Sequence, residues 1–326
     1  MYDALDRLFR PRAVANACRS RRTRSISRPF FGGNGQKTKD RGPPFTPAFG
    51  VNGQNRTEER LQNSRPLRIA DVLALAFAAA ILAIFELLHH AEFPPAGAAF
   101  LKALAITAGF AVLAWFAGGV NITGAVAGSV VAFILAVRDL RLFLALLVVF
   151  AVTLAATRIG YARKQELRSA EPAGGRTAAQ AMANLGIAAL VVAVASPGLS
   201  SAWPVLALAA LAEAAADTAS SEIGMAFPGK TILVTTFRPV PAGTDGGISL
   251  LGTLAACAGA ASIAAVAMLS GLATARPAAV IVLAGFLGTM VDSLLGALFE
   301  RRGWLDNDLV NLISTAASAG VAWGVG

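Results

Sequence analysis

Nine apolar segments follow one another along this chain: residues 69–88, 97–117, 122–137, 141–157, 178–196, 204–226, 249–271, 278–299 and 307–325. The hydrocarbon core of a bilayer is about 30 Å thick and takes roughly 20 apolar residues of helix, and only helices or closed barrels satisfy their own backbone inside it. The expected fold class is therefore all-α: a polytopic integral membrane helix bundle of about nine transmembrane segments, with the lipid bilayer as its first partner. Several segments fall short of full span length, so 122–137 and 141–157 read either as two short spans or as one helical hairpin. The composition agrees, with 56% hydrophobic and 14% charged residues.

Residues 1–67 have a different character. They mix Arg, Pro, Gly, Asn and Gln without an apolar period and contain Arg19-Ser20-Arg21-Arg22-Thr23-Arg24-Ser25. They read as a disordered basic tail, and 68–326 as the transmembrane helical domain. The tail holds 14 Lys/Arg against 5 Asp/Glu, the whole of the net +9, while 68–326 is balanced with 14 of each. The +9 looks like a nucleic-acid signal until it is located, and no nucleic-acid partner is expected; contact with anionic lipid heads, a targeting role or an upstream extension without function remain for the tail. No signal-peptide apolar core precedes residue 69. Cys18 and Cys257 imply no disulfide framework, and neither has a neighbouring base.

The sixth segment carries the chemistry. Ala214-Ala215-Ala216-Asp217-Thr218-Ala219-Ser220-Ser221-Glu222-Ile223-Gly224 sets two carboxylates and three hydroxyls in a spanning run. A charge near a bilayer centre costs roughly 2.5–3.5 kcal/mol, so such groups line an interior or a wet cavity. Glu213, Asp217 and Ser221 share one helical stripe, whereas Glu222 lies about 140° round from Asp217. Either the helix loosens near Ser220 or Glu222 faces a different neighbour.

The loops orient the chain. With the tail inside, connections 158–177, 227–248 and 300–306 carry nine Lys/Arg, including Arg158, Lys164 and Arg176; the other side carries Arg138, Arg141, Arg276 and Lys102. This bias predicts a cytoplasmic N-terminus, in the plasma (inner) membrane of a bacterium. On that orientation Gln180, Asn184, Asp217, Glu222, Asp292, Asn307, Asn311, Ser314 and Thr315 all fall in one leaflet. Polar residues that merely glue helices together would scatter through both. Gly285, Gly288, Asp292 and Gly296 share a helix face, as do Gly252, Ala256 and Gly259, so backbones approach closely there.

Gly243-Thr244-Asp245-Gly246-Gly247-Ile248-Ser249 precedes a helix and suits a phosphate, although an ordinary helix-entry turn has the same composition. Asp217, Glu222, Asp245 and Asp292 are hard oxygen ligands of the kind Mg²⁺ takes when it bridges to phosphates. Arg158, Lys164 and Arg176 can hold further phosphate oxygens, the ingredients of phosphoryl transfer by positioning and charge neutralisation. There is no G-x-x-x-x-G-K-[ST], no kinase catalytic loop and no H-E-x-x-H, so a soluble-type nucleotide fold is excluded. His89, His90 and Glu92 read as an interfacial loop on the outer side.

Read in order, these motifs resemble the integral membrane family known as domain of unknown function 92, or transmembrane protein 19. The resemblance runs from about residue 70 to 326. It rests on Thr157-Arg158-Ile159-Gly160 with Lys164; Gly175-Arg176-Thr177 to Asn184-Leu185-Gly186; Ala216-Asp217-Thr218 to Glu222-Ile223-Gly224; Gly243-Thr244-Asp245-Gly246-Gly247 to Thr253; Gly285-Phe286-Leu287-Gly288 with Asp292-Ser293-Leu294-Leu295-Gly296; and Asn307-Asp308-Leu309-Val310-Asn311 with Ser314-Thr315. Ser221 is an extra residue in the usual run, and Asn184-Leu185-Gly186 replaces Asn-Gly-Gly. Plant members resemble phytyl-phosphate kinases. The resemblance thus implies a kinase that converts a phytyl or polyprenyl monophosphate to the diphosphate with a nucleoside triphosphate, CTP favoured, and Mg²⁺.

The resulting expectation places Asp217, Glu222 and Asp292 on the metal, with Asp245 completing the catalytic set. Arg158, Lys164, Arg176, Asn184, Gly246, Gly247, Ser249 and Asn311 would bind substrate. A transporter or flippase of a phosphorylated lipid or ion is the competing class, since buried carboxylates on broken helices suit it equally. A purely structural scaffold leaves four acidic positions unexplained.

Overall fold

The computed structural model describes residues 68–92, 97–167, 174–195, 202–227 and 229–325; the basic tail, the boundary at 67/68 and Cys18 lie outside them. All nine apolar segments are helices, with ends shifted by three residues at most: α1 Ile69–His89, α2 Ala98–Phe116, α3 Ile122–Arg138, α4 Leu140–Arg158, then a short α5 Tyr161–Glu166. There follow α6 Ala178–Val194, α7 Trp203–Ala226, strands β1 Thr231–Leu233, β2 Pro239–Val240 and β3 Gly247–Ser249, then α8 Leu250–Leu269, α9 Ala275–Leu298, a 3-10 turn Glu300–Arg302 and α10 Asn307–Val325.

Polar residues between the apolar runs set the helix starts. The Asn121 side chain accepts the Gly124 amide, and that of Ser249 accepts the Gly252 amide. Asp139 both ends α3 and caps α4 through the Arg141 amide, so the two helices are joined through this one residue. Five helices, α1, α2, α4, α8 and the stretch from α9 through the 3-10 turn, are long and apolar enough to cross a bilayer, and α3 and α6 are shorter apolar helices of 17 residues. Leu73, Leu87, Leu101, Leu113, Leu254 and Leu269 stand exposed on them, as lipid-facing residues do.

α7 can carry carboxylates because it is the axis of the bundle. It packs against α4, α6, α8, α9 and α10, and Ala207 through Ala216 are buried without a break. Its alanines let neighbours come close: a Cβ on Gly259 of α8 would lie 2.7 Å from the Ala215 carbonyl oxygen, and one on Gly285 of α9 would lie 2.8 Å from Ala212 Cβ. The expected seam on α8 faces α7, as do Gly285 and Gly288 of the seam on α9, while Gly296 meets the backbone of Gly246.

The connection 227–248, expected as a loop, contains most of a three-stranded antiparallel sheet of order β2-β1-β3, with Ile232 opposite Pro239 and Ile248. Thr231-Ile232-Leu233, with two β-branched residues, alternates buried and half-buried positions, a strand pattern too short to stand out within a loop. β3 runs directly into α8, so the sheet is fixed to the end of the bundle where α7 and α9 finish and α6 and α10 begin.

Candidate functional site

At that end the helices enclose a polar cavity of about 420 Å³. α7 lines it with Asp217, Thr218, Ser221 and Glu222, and α9 with Asp292, Ser293 and Gly296. α6 adds Gln180 and Asn184, α10 adds Asn307 and Asn311, and the loop before α8 adds Gly243 through Gly247 and Ser249. Arg176 and Glu300 complete the wall.

Each of these side chains is positioned by backbone the sequence makes rigid. Arg176 is held by its own main chain: its amide donates to the Gly119 carbonyl and its carbonyl accepts from the Asn121 amide. Gly175 permits this with φ +79°, where a Cβ would press within 2.7 Å of the Val120 backbone. From there the guanidinium donates to the Thr218 hydroxyl at 3.2 Å and lies close enough to act electrostatically on Asp217. Its neighbour α6 starts with a capping box between Thr177 and Gln180; the Ala178 and Ala179 amides donate to the Thr123 hydroxyl and to Asp71. The first amides of α6 are therefore satisfied within the protein.

On the opposite wall, Gly246 turns with φ +72° against α9, where an added Cβ would sit 2.5 Å from the Ala297 nitrogen. This contact carries the exposed Asp245 to the cavity rim. The loop is a turn rather than an open nest of amides, because Gly247 N–H donates to the Thr244 carbonyl at 2.8 Å. Ser249 lines the cavity while its hydroxyl caps α8.

The carboxyls of Asp217 and Asp292 meet within hydrogen-bond reach of each other. Beneath them the Ser314 hydroxyl stands 2.7 Å from Glu213 and 3.4 Å from Asp292. Glu213 is 1% exposed. Asn184 donates to the Gln180 carbonyl, and Asn311, which lines the cavity, accepts from Ser314 and Thr315 through its backbone carbonyl.

The structure thus brings together Asp217, Glu222, Asp245, Asp292, Arg176, Asn184, Gly246, Gly247, Ser249 and Asn311. It does not bring Arg158 or Lys164 among the lining residues. Arg158 turns away and donates to the Ala117 carbonyl. Lys164 is fully buried, pairs with Glu222, and donates to the Ala156 and Thr157 carbonyls. Glu222 lines the cavity while also pairing with Lys164. The pairing resolves its phase: α7 stays regular through Ser220, and Glu222 reaches α5 at the cavity wall. Sequence reasoning left Glu213 and Glu300 out of the site. Spacing held the signal for both, since 213 and 217 are four apart on α7 and 292, 296 and 300 are four apart on α9 and beyond.

Among the described residues no three His, Cys, Asp or Glu side chains are grouped to hold a metal ion by themselves. Asp217 and Asp292 face the cavity from two helices, and a carboxylate pair of this kind suits Mg²⁺ when phosphate oxygens and waters complete its shell. The residues fit a phosphate-bound Mg²⁺, not a protein cage for one.

The family model described as integral membrane protein DUF92 matches residues 105–319. An uncharacterised membrane protein of Synechocystis sp. is 34% identical over 190 residues, 57% of this chain and 74% of the relative. Protein VTE6, chloroplastic, of Arabidopsis thaliana is 33% identical over 189 residues, 55% of this chain and 57% of its own length. An uncharacterised membrane protein of Methanocaldococcus jannaschii is 34% identical over 197 residues, 59% and 79%. No solved structure matches.

Proposed function

Because the chain belongs to the integral membrane protein family DUF92, and because its conspicuous polar site is a carboxylate-lined cavity at the bundle end, we propose that it is a phosphotransferase. It converts an isoprenoid monophosphate, phytyl or polyprenyl, to the diphosphate. The observation that carries this reading is the convergence of Asp217, Asp292, Asp245 and Arg176 on one cavity deep enough to take phosphates. The phytyl-phosphate kinase resemblance of plant family members supplies the substrate class.

In this reading a terminal oxygen of the lipid monophosphate bonds to the γ-phosphorus of a nucleoside triphosphate, CTP favoured, while the bond from that phosphorus to the β–γ bridging oxygen breaks and the nucleoside diphosphate leaves. Arg176 draws the anions in and offsets their charge, and Asn184 and Asn311 orient oxygens from the α6 and α10 walls. The Asp245-Gly246 turn closes over the phosphates from the sheet side. Asp217 and Asp292 would hold Mg²⁺, which when bound supplies the charge neutralisation that phosphoryl transfer requires. No side chain need act as base, since a phosphate monoester is already anionic near neutral pH. The cavity opens to the cytoplasm, where nucleotides are, which agrees with the loop charges.

The test uses purified protein in detergent with Mg²⁺, geranylgeranyl or phytyl monophosphate, and each γ-labelled nucleotide in turn. Label is expected in a lipid diphosphate. It should be lost on chelation of Mg²⁺ and fall on the order of 100–1,000-fold in Asp217→Asn, as removal of a preorganised charge-stabilising group does. A folded protein that labels no lipid with any donor would sink the reading. Transport of a phosphorylated lipid or ion would then lead, and Glu213 favours it: this buried carboxyl continues the polar track inward from Asp292 and has no task in phosphoryl transfer.

A further inference from the structure

Arg176, Gln180 and Asn184 have the polar cavity on one side and a second hollow on the other. This second hollow is apolar, about 70 Å³, and walled by α2, α3, α4 and α6, with Phe110, Ala125, Gly128, Val149, Phe150 and Leu185 among its lining. The Ser129 hydroxyl that borders it is turned back to the Ala125 carbonyl at 2.6 Å.

The hollow exists because α3 is stripped of side chains along one face. At Gly124 a Cβ would run into the Arg176 carbonyl, so α3 there abuts the linker that holds Arg176. One turn on, a Cβ on Gly128 would meet nothing within 4 Å. The Phe110 ring packs edge-on against Phe143 and Phe150, with centroids 5.5 and 5.3 Å away, and borders the side toward α2. α2 itself leaves Leu101, Leu104, Leu113 and Phe116 exposed to lipid.

We propose that this hollow seats the first carbons of the isoprenoid chain, the phosphate passing Arg176 into the polar cavity and the remaining chain running along α2 into the bilayer. The inference rests on the phosphotransferase reading and adds its chain specificity. At about 70 Å³ the hollow takes the branched start of a chain and not its length. The protein therefore selects the branching next to the phosphate and is indifferent to the number of units beyond it.

The experiment is photolabelling of the full chain in detergent with a prenyl monophosphate bearing a diazirine on its first unit, followed by peptide mapping. Label competed by unlabelled geranylgeranyl monophosphate is expected on the Phe110 and Phe150 segments. Gly128→Leu, which fills the open space, should cut that label and raise KM for prenyl monophosphate roughly tenfold or more, the scale of displacing a methylene group from an apolar pocket, with kcat little changed. Gly109→Leu, on the exposed face of α2 where a Cβ likewise meets nothing within 4 Å, should change neither. Competed label on another face, or a Gly128→Leu protein with unaltered KM, while phosphoryl transfer persists, overturns the seat and leaves the kinase reading standing. Competed label in the hollow without transfer from any nucleotide supports the seat and removes the kinase.

Discussion

Lys164 and Glu222 show how a residue's task is decided by its neighbours. Both are charged residues near the cavity, yet Lys164 is shut in by Glu222 and two carbonyls of the α4 end, and so it ties α4, α5 and α7 together. Removing one partner of a buried pair leaves an uncompensated charge, at a cost of about 3–5 kcal/mol. Lys164→Met should accordingly lower thermal stability in detergent, and Lys164→Met with Glu222→Gln should recover most of the loss. If Lys164→Met instead raised KM for the lipid phosphate at unchanged stability, Lys164 would be a phosphate ligand after all. Asp139 is a milder case. Partial burial pushes its carboxyl up, but the hydrogen bonds from Arg141 outweigh this and hold it below its ordinary value of 3.8. A depressed value contributes stability that is complete at neutral pH and lost only as pH falls through it. The loss of stability in Asp139→Asn should thus be the same at pH 6 and pH 8 and shrink as pH falls below the ordinary value of 3.8.

Among the elements, α7 is the one whose sequence and position explain each other. A helix so rich in alanine presents a narrow surface, and the glycines of α8 and α9 use it to bring backbones together. Gly259→Leu should destabilise the bundle by roughly 1–3 kcal/mol or more, because its nearest obstacle is the Ala215 backbone, which cannot rotate aside. Gly320→Leu on α10, where a Cβ meets nothing within 4 Å, serves as the comparison and should unfold like the parent. Equal Tm for the two variants would refute close packing of α8 on α7. The same logic covers the caps: Asn121→Ala removes the acceptor for the Gly124 amide at the start of α3 and should cost about 1 kcal/mol.

For the whole molecule, the polar residues gather at one end, so the bundle is chemically one-sided. With Cys18 and Cys257 replaced by Ser, an impermeant maleimide should reach Thr274→Cys, in the connection between α8 and α9, from outside intact cells. It should reach Thr236→Cys, at the exposed edge of the sheet, only after permeabilisation. The reverse pattern would turn the cavity away from cytoplasmic nucleotides. The helices and their approximate ends were legible in the sequence, because the free energy of placing a residue in lipid depends on its own side chain and is read off locally. The clustering of Asp217, Asp245, Asp292, Asn184 and Asn311 was legible too, since alternating spans place each group at a known end. What only the tertiary structure decided was pairing. That Lys164 turns inward to Glu222, that Arg158 turns to a carbonyl, that Gly128 leaves a hollow open and that Thr231–Leu233 finds two partner strands all depend on which surfaces meet. Those contacts join residues far apart in the chain, and no local periodicity encodes them.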